Sequence, residues 1–280
     1  MFKKIAIIGV GLIGGSIGIA CRKEGIAKQV IGIGRRRSSI NKAKRLGAID
    51  IGTLSVKRGV RESDLIIVAT PVNIVIDKIK ECVKFLDGNA IIIDVTSIKS
   101  EIVDKADKIV KNKKGISFVG THPMAGSEES GVAVARADLF KNSACIITPS
   151  KYTDKASLAK VKRFWQALGA GIKTMPASQH DMVVGSLSHL PHIIAFAVCA
   201  SVDPGHIPLA GNSFRDLTRV AKSDPSMWAD IFLQNKAGLK KALGAFNKTI
   251  DLFLSDVDNN RRNKLIKKIE ASRLKRISVG

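Results

Sequence analysis

Through the first 176 residues, short apolar runs alternate with stretches in which apolar positions recur every three or four residues. Strand-like runs cover residues 4–8, 29–33, 64–69, 90–95, 117–120 and 144–148. Helical spacing fills residues 12–24, 39–46 and 72–86, and Gly25, Gly47 and Gly88 stand where such helices should stop. The runs IAII, LIIVA and AIIID have no polar face until their last residue, as expected of strands buried on both sides. Strands alternating with helices predict an α/β fold, a doubly wound parallel sheet with helices on both faces. Residues 155–168 read as an amphipathic helix with Leu158, Val161, Phe164, Trp165 and Leu168 on one stripe, and 171–175 as a last strand. After Pro176 the texture changes to helix: a long apolar stretch over 183–202, then 229–254 and 259–275. The expected organisation is an α/β domain over 1–176 and an all-α domain over 177–280.

Composition narrows this picture. A chain of 280 residues fits two domains, and 45% hydrophobic residues can build two cores. With aromatics at 5%, aliphatic side chains must fill them. No uninterrupted apolar run reaches the ~18 residues a bilayer span needs, so no membrane association is expected. The opening MFKKIAIIGVGLIGG resembles a signal peptide, but its glycines have a better use. Cys21, Cys82, Cys145 and Cys199 are far apart, which argues against zinc or a disulfide framework and suits a cytoplasmic protein. The net charge of +22 attracts anions of many kinds. The cationic concentration near the C-terminus, from Arg261 to Arg276, reads as a solvated helical face, and no nucleic-acid-binding signature accompanies it.

Chemistry enters at Gly9-Val10-Gly11-Leu12-Ile13-Gly14, between the first strand and the first helix. Gly9 permits the tight turn, Gly11 lets the backbone approach a pyrophosphate, and Gly14 lets helix and strand pack closely. The helix N-terminus, from Leu12 and Ile13, offers N–H groups to the phosphates. This is a Rossmann-type dinucleotide site. At the end of the second strand, where NAD enzymes usually carry a carboxylate for the ribose 2′-hydroxyl, the chain reads Gly34-Arg35-Arg36-Arg37-Ser38-Ser39. No Asp or Glu occurs between Glu24 and Asp50. Arginines and serines suit a 2′-phosphate, so NADP is expected rather than NAD. Thr70 and Pro71 end the third strand-like run, on the same edge.

Three further segments place polar groups in apolar surroundings: Asp94-Val95-Thr96-Ser97-Ile98-Lys99, Gly120-Thr121-His122-Pro123, and His180-Asp181 leading to Ser188-His189-Leu190-Pro191-His192. Four of the five histidines sit there. The segments GVGLIGGSIG, DVTSIKS, THPMAGSEESG, HDMVVGSLSHLPH and DLTRVAKSDPSMW resemble the prephenate/arogenate dehydrogenases, in order and over most of the chain.

The resemblance implies oxidative decarboxylation of prephenate or arogenate on the tyrosine pathway, with hydride transfer to a nicotinamide cofactor. It implies that His122 hydrogen-bonds the ring hydroxyl and that Arg219 grips a substrate carboxylate. Ser97 and Ser127 match hydroxyls near the reacting ring and cofactor. Ser188, His192 and, with a weaker role, His180 match substrate-binding positions at the pocket, while His189 reads as structural. Glu128 and Asp216 match acids at the pocket mouth. The helical half implies a homodimer, and the Gly34-Arg35-Arg36 turn departs from NAD-using relatives. Two other readings stand beside this one. Another NADP-dependent β-hydroxyacid dehydrogenase or imine reductase would share the first half without needing His122, Arg219 and the pentad together. A non-catalytic NADP- or polyanion-binding protein is what the charge alone would favour.

Overall fold

The computed structural model describes every residue except Asp87, Glu128 and Gly280. Its first half is an eight-stranded sheet: β1 (Phe2–Ile8), β2 (Ala27–Ile33), β3 (Ile51–Thr53), β4 (Leu65–Val68), β5 (Ala90–Asp94), β6 (Ile116–Pro123), β7 (Ala144–Thr148) and β8 (Gly171–Thr174). The spatial order is β3-β2-β1-β4-β5-β6-β7-β8. Strand order reverses between β1 and β4, which opens a crevice beyond the carboxyl ends of the strands. Six of the seven pairings are parallel; β6 and β7 run antiparallel, with His122 opposite Ile146.

The sheet is covered by α1 (Leu12–Lys23), α2 (Arg37–Arg45), α3 (Val56–Val60), α4 (Val75–Val83), α5 (Ser100–Val110) and α6 (Lys155–Ala167). Alternate strand residues feed opposite faces. Ile5 and Ile7 join the core formed with Ile17, Phe164 and Trp165. Ala6 and Ile8 join the core formed with Val75, Ile79, Ile102 and Ala106. Gly25, Gly47 and Gly88 all have positive φ, as stop residues should.

The second half holds α7 (Ala177–Val184), α8 (Leu190–Ser201), α9 (Asn212–Thr218), α10 (Pro225–Gln234), α11 (Lys236–Asp258) and α12 (Arg262–Ile277). A π-helical turn, Gly185–His189, joins α7 to α8. Ala177–Ser201 is thus one 25-residue helical run with a mean hydropathy of 1.7 in its most apolar window. By length and composition it is long and apolar enough to cross a bilayer, contrary to the sequence expectation. Its first turns are docked on the sheet half instead. The Asp181 carboxylate accepts from the backbone N–H groups of Lys99 and Ser100, both at 2.8 Å, and so caps α5.

The expected helix over 229–254 is two helices that meet at Asn235. The Asn235 side chain caps α11 by accepting from Gly238 N and donates to the Asp181 carbonyl at 2.8 Å. This bond needs close backbones. A Cβ on Gly185 would lie 2.8 Å from Gly238 backbone, and one on Gly238 would lie 2.6 Å from the Asp181 carbonyl.

Candidate active site

The glycine turn follows β1 at the crevice. A Cβ on Gly9 would sit 2.3 Å from the Ala69 carbonyl, and one on Gly14 would sit 2.1 Å from the Gly9 carbonyl. Neither position tolerates a side chain without backbone movement. Gly11 differs: a Cβ there would meet nothing within 4 Å. Its role is therefore open space, not packing. Gly11 is the N-cap of α1, and no side chain caps that helix, so Leu12, Ile13 and their neighbours present free N–H groups there. The hydroxyl of Thr70, beside Pro71 at the end of β4, is buried with no hydrogen-bond partner. An uncapped helix start, an unfilled glycine and an orphaned hydroxyl together fit a dinucleotide.

Beyond β2, Arg35, Arg36, Arg37, Ser38 and Ser39 are all exposed, with Arg36 at the N-cap of α2. Gly34 packs on Ile40, whose side chain lies 3.0 Å from where a Cβ would stand. The next acid in the chain, Asp50, is used elsewhere. It accepts from Val30 N at 2.7 Å and pairs with Arg22 at 2.8 Å.

At the end of β5 lies a buried ion pair. Lys99 Nζ is 2.5 Å from Asp94 Oδ2, and both side chains are wholly enclosed. The ammonium also donates to Thr96 Oγ1 at 2.9 Å and to the Ile98 carbonyl at 2.8 Å, so its three protons are all placed. Thr96 in turn donates to Asp94. Ser97 is part-exposed on the loop between Thr96 and Ile98, both of which this network bonds.

His122, on β6, is buried, with 8% exposure. Its Nδ1 lies 2.8 Å from His180 Nε2, and His180 Nδ1 lies 2.8 Å from Asp181 Oδ1. Burial pushes the His122 imidazole well below its ordinary value, and the Lys99 charge adds to the effect. It is neutral near pH 7 and can accept a proton. Burial also lowers His180, partly opposed by its bond to Asp181. Burial alone would raise Asp181, but bonds from His180, Ser100 and Lys99 outweigh that and hold it below the usual carboxylate range.

These bonds correct one expectation. His180 was expected at the substrate, but it is 0% exposed and both its ring nitrogens are occupied. It stands behind His122. Asp94, Lys99 and Asp181 stand in segments that the sequence marks as polar among apolar neighbours, but it gives them no role, and Asn235 is not marked at all. The visible sign was a charge closing an apolar strand run at Asp94, and a charged or amide residue beside apolar helical runs at Asp181 and Asn235.

The pentad splits into two environments. His189 is fully buried, its Nδ1 3.1 Å from Asn235 Nδ2 and its Nε2 without a partner. His192 donates from Nδ1 to the Ser188 carbonyl at 2.9 Å and stacks on Trp228, with ring centroids 3.6 Å apart. Burial lowers His192, and Arg219, near enough for its charge to be felt, lowers it further. Arg219 and Asp216 are exposed; Arg219 opens the turn after α9. Ser127 is exposed and accepts from Glu129 N. Glu128 lies outside the described residues. Among the described residues no cluster could hold a metal ion.

Gly11, Thr70, Ser97 and His122 thus all lie at carboxyl ends of adjacent strands β1, β4, β5 and β6. The helical half brings His192 and Arg219 toward the same region through His180, Asp181, Asn235 and Trp228.

Comparison with known proteins agrees with the two-part fold. Residues 17–174 match the family model for the nucleotide-binding domain of prephenate dehydrogenase, and residues 176–271 match the one for its dimerization domain. The chain is 35% identical to the prephenate dehydrogenase of Bacillus subtilis, over 95% of this chain and 73% of that one. Among solved structures, prephenate dehydrogenase of Aquifex aeolicus, in complex with hydroxyphenyl propionate and NAD+, superposes with a TM-score of 0.92 at 33% identity, covering 100% of this chain and 99% of that one. The arogenate dehydrogenase of Synechocystis gives 0.84 at 27% identity, covering 99% and 100%. With both halves matched in order and the whole fold shared, the chain belongs to the prephenate/arogenate dehydrogenase family.

Proposed function

We propose that this protein oxidatively decarboxylates prephenate, and arogenate less well, with NADP⁺ as hydride acceptor, and that it works as a cytoplasmic homodimer. The observation that carries the activity is the buried, neutral His122 on the strand edge that also bears the glycine turn. A bound nicotinamide supplies the hydride acceptor. The chain's own residues do the rest. His122 takes the proton of the ring hydroxyl as the carbonyl forms. Arg219 holds a substrate carboxylate through its planar guanidinium, and His192, fixed on Trp228, lines the same wall. Ser97, Ser127 and Ser188 offer hydroxyls around the ring. Loss of CO₂ from the ring carboxylate makes an aromatic product, which makes the reaction effectively irreversible.

NADP is favoured by the exposed Arg35-Arg36-Arg37-Ser38 turn and by the engagement of Asp50 with Arg22 and Val30. The dimer is favoured by the match to a dimerization domain and by apolar residues left open on α11, Ile250, Leu254 and Val257. Four free cysteines suit a reducing compartment.

The test is kcat/KM for both substrates with both cofactors, in the natural chain and in His122→Asn. Prephenate with NADP⁺ should give the highest value, by about 10-fold or more over NAD⁺. His122→Asn should lower kcat about 100-fold or more with little change in cofactor affinity. Near-normal turnover in that variant, or equal use of the two cofactors, would refute the corresponding part.

A further inference from the structure

We infer that Asp181 and His180, on the helical half, form a relay that fixes which nitrogen of His122 faces the substrate and shares the charge His122 acquires. The inference rests on the role proposed for His122 above.

The polarity follows from one fixed end. Asp181 is a carboxylate, held by two backbone N–H groups at the start of α5. A carboxylate only accepts, so the proton in the 2.8 Å contact belongs to His180 Nδ1. A neutral His180 with Nδ1–H has a lone pair on Nε2. The 2.8 Å contact to His122 must then carry a proton from His122 Nδ1. That leaves His122 Nε2 with a lone pair, directed away from the relay. Each step has one permitted donor, so the tautomer of His122 is dictated by a residue two partners away.

The same line of bonds handles the charge made in turnover. The hydroxyl proton moves to His122 Nε2, and the imidazolium keeps its Nδ1 proton in the bond to His180 Nε2. His180 keeps its own Nδ1 proton in the bond to Asp181. No further proton enters or leaves, and the positive charge is opposed by the Asp181 carboxylate. Such opposition is needed. The other charged and titratable groups felt at these rings are Lys99 and Asp94, already paired to one another, with Cys145 on β7 and His189 on the π-helical turn. Lys99 disfavours a charged His122.

The relay also crosses between the two halves. His122 stands on β6 and its partners stand on α7. The base is set in its working tautomer only when the helical half is docked on the sheet, and the docking contact is the same carboxylate that caps α5.

The test uses the full-length protein. Imidazole ¹⁵N NMR should show His122 protonated at Nδ1 and bare at Nε2 near neutral pH; an Nε2–H tautomer overturns the relay. Asp181→Asn should lower kcat about 10-fold or more. It should also move the acidic limb of kcat/KM to lower pH, because the charge that favours imidazolium is gone. KM for cofactor and substrate should stay within about twofold. His180→Gln leaves the cap on α5 intact and can still accept from His122, so it serves if Asp181→Asn does not fold. It should lower kcat as Asp181→Asn does, because the ring that passes the Asp181 charge to His122 is gone. An unmoved limb and unchanged kcat in folded Asp181→Asn, or unchanged kcat in folded His180→Gln, sink the relay. A chain that shows the Nδ1–H tautomer but turns over neither prephenate nor arogenate would sink the proposed activity and leave the relay standing.

Discussion

Single residues set the chemistry through what they lack as much as through what they carry. Gly34 carries no carboxylate, and the nearest acid in the chain beyond it is committed to β2. Gly34→Asp should restore a ribose acceptor and move the NADP⁺/NAD⁺ ratio of kcat/KM toward NAD⁺ by about 10-fold. Ile40 must give way slightly for the new Cβ, which a side chain can do. An unchanged ratio would count against the arginine turn. His189 makes a second residue-scale prediction. Exposed, it titrates at 6.5; burial pushes it down to about 4. As pH falls below about 6.5 the unfolded chain takes up a proton that the folded one refuses. Stability is therefore full above 6.5 and is lost progressively toward pH 4, by on the order of 3 kcal/mol. His122 and His180 act in the same direction. Urea midpoints should fall between pH 7.5 and 5, and His189→Gln should flatten part of that slope. An identical slope in the variant would remove His189 from the account.

At the scale of elements, the alternating half of the chain was legible and the junctions were not. Strands such as β4 and β5 are short, apolar and two-faced, so pattern alone exposes them. β3 and α3 escaped because three and five residues carry too little periodicity. α5 escaped because its lysines and acids dilute a stripe that still buries Ile102, Val103, Ala106 and Val110. The antiparallel β7 had no sign in its own residues. Direction is set by the connection, and the only regular element among the described residues between β6 and β7 is a three-residue turn, Val132–Val134. Without a crossover helix the chain folds straight back. The candidate site was legible where a motif faces the crevice, as at Gly9–Gly14 and His122. It was illegible where one helix serves another. Asn235 shows this: in sequence it is a polar residue inside a helical pattern, and in the fold it ends α10, caps α11 and ties both to Asp181 and His189. Asn235→Ala should cost about 1–3 kcal/mol in urea unfolding, by leaving buried groups unpaired. It should lower kcat as well, by loosening Asp181. A loss of stability with untouched turnover would confine Asn235 to a capping role.

The whole molecule is a finished half joined to an unfinished one. Both faces of the sheet are covered, and its cores close around residues such as Ile5, Ile67 and Trp165 at 0% exposure. The helical half closes nothing comparable. α8 buries only Ala195, α12 buries no residue, and Leu187, Leu209, Ile250, Leu252, Leu254 and Val257 are exposed. Apolar surface on this scale destabilises a lone chain in water and is removed by association. Ile250, Leu254 and Val257 recur at helical spacing, so they form one stripe along α11. Asp256, nearly enclosed, pairs with Lys268 and Arg261 and holds α12 against α11, so the stripe is borne on a braced pair of helices. The cations that crowd α12 lie beside this surface, and a net charge of +22 repels a second copy. In the proposed dimer, apolar burial has to outweigh that repulsion, and salt should help by screening it. Light scattering should therefore find twice the 30.1 kDa chain mass, with the dimer tightening from low to moderate salt. Ile250→Asp combined with Leu254→Asp should shift the population toward single chains. A chain that is monomeric at every salt concentration would show that another partner, or none, covers the helical half.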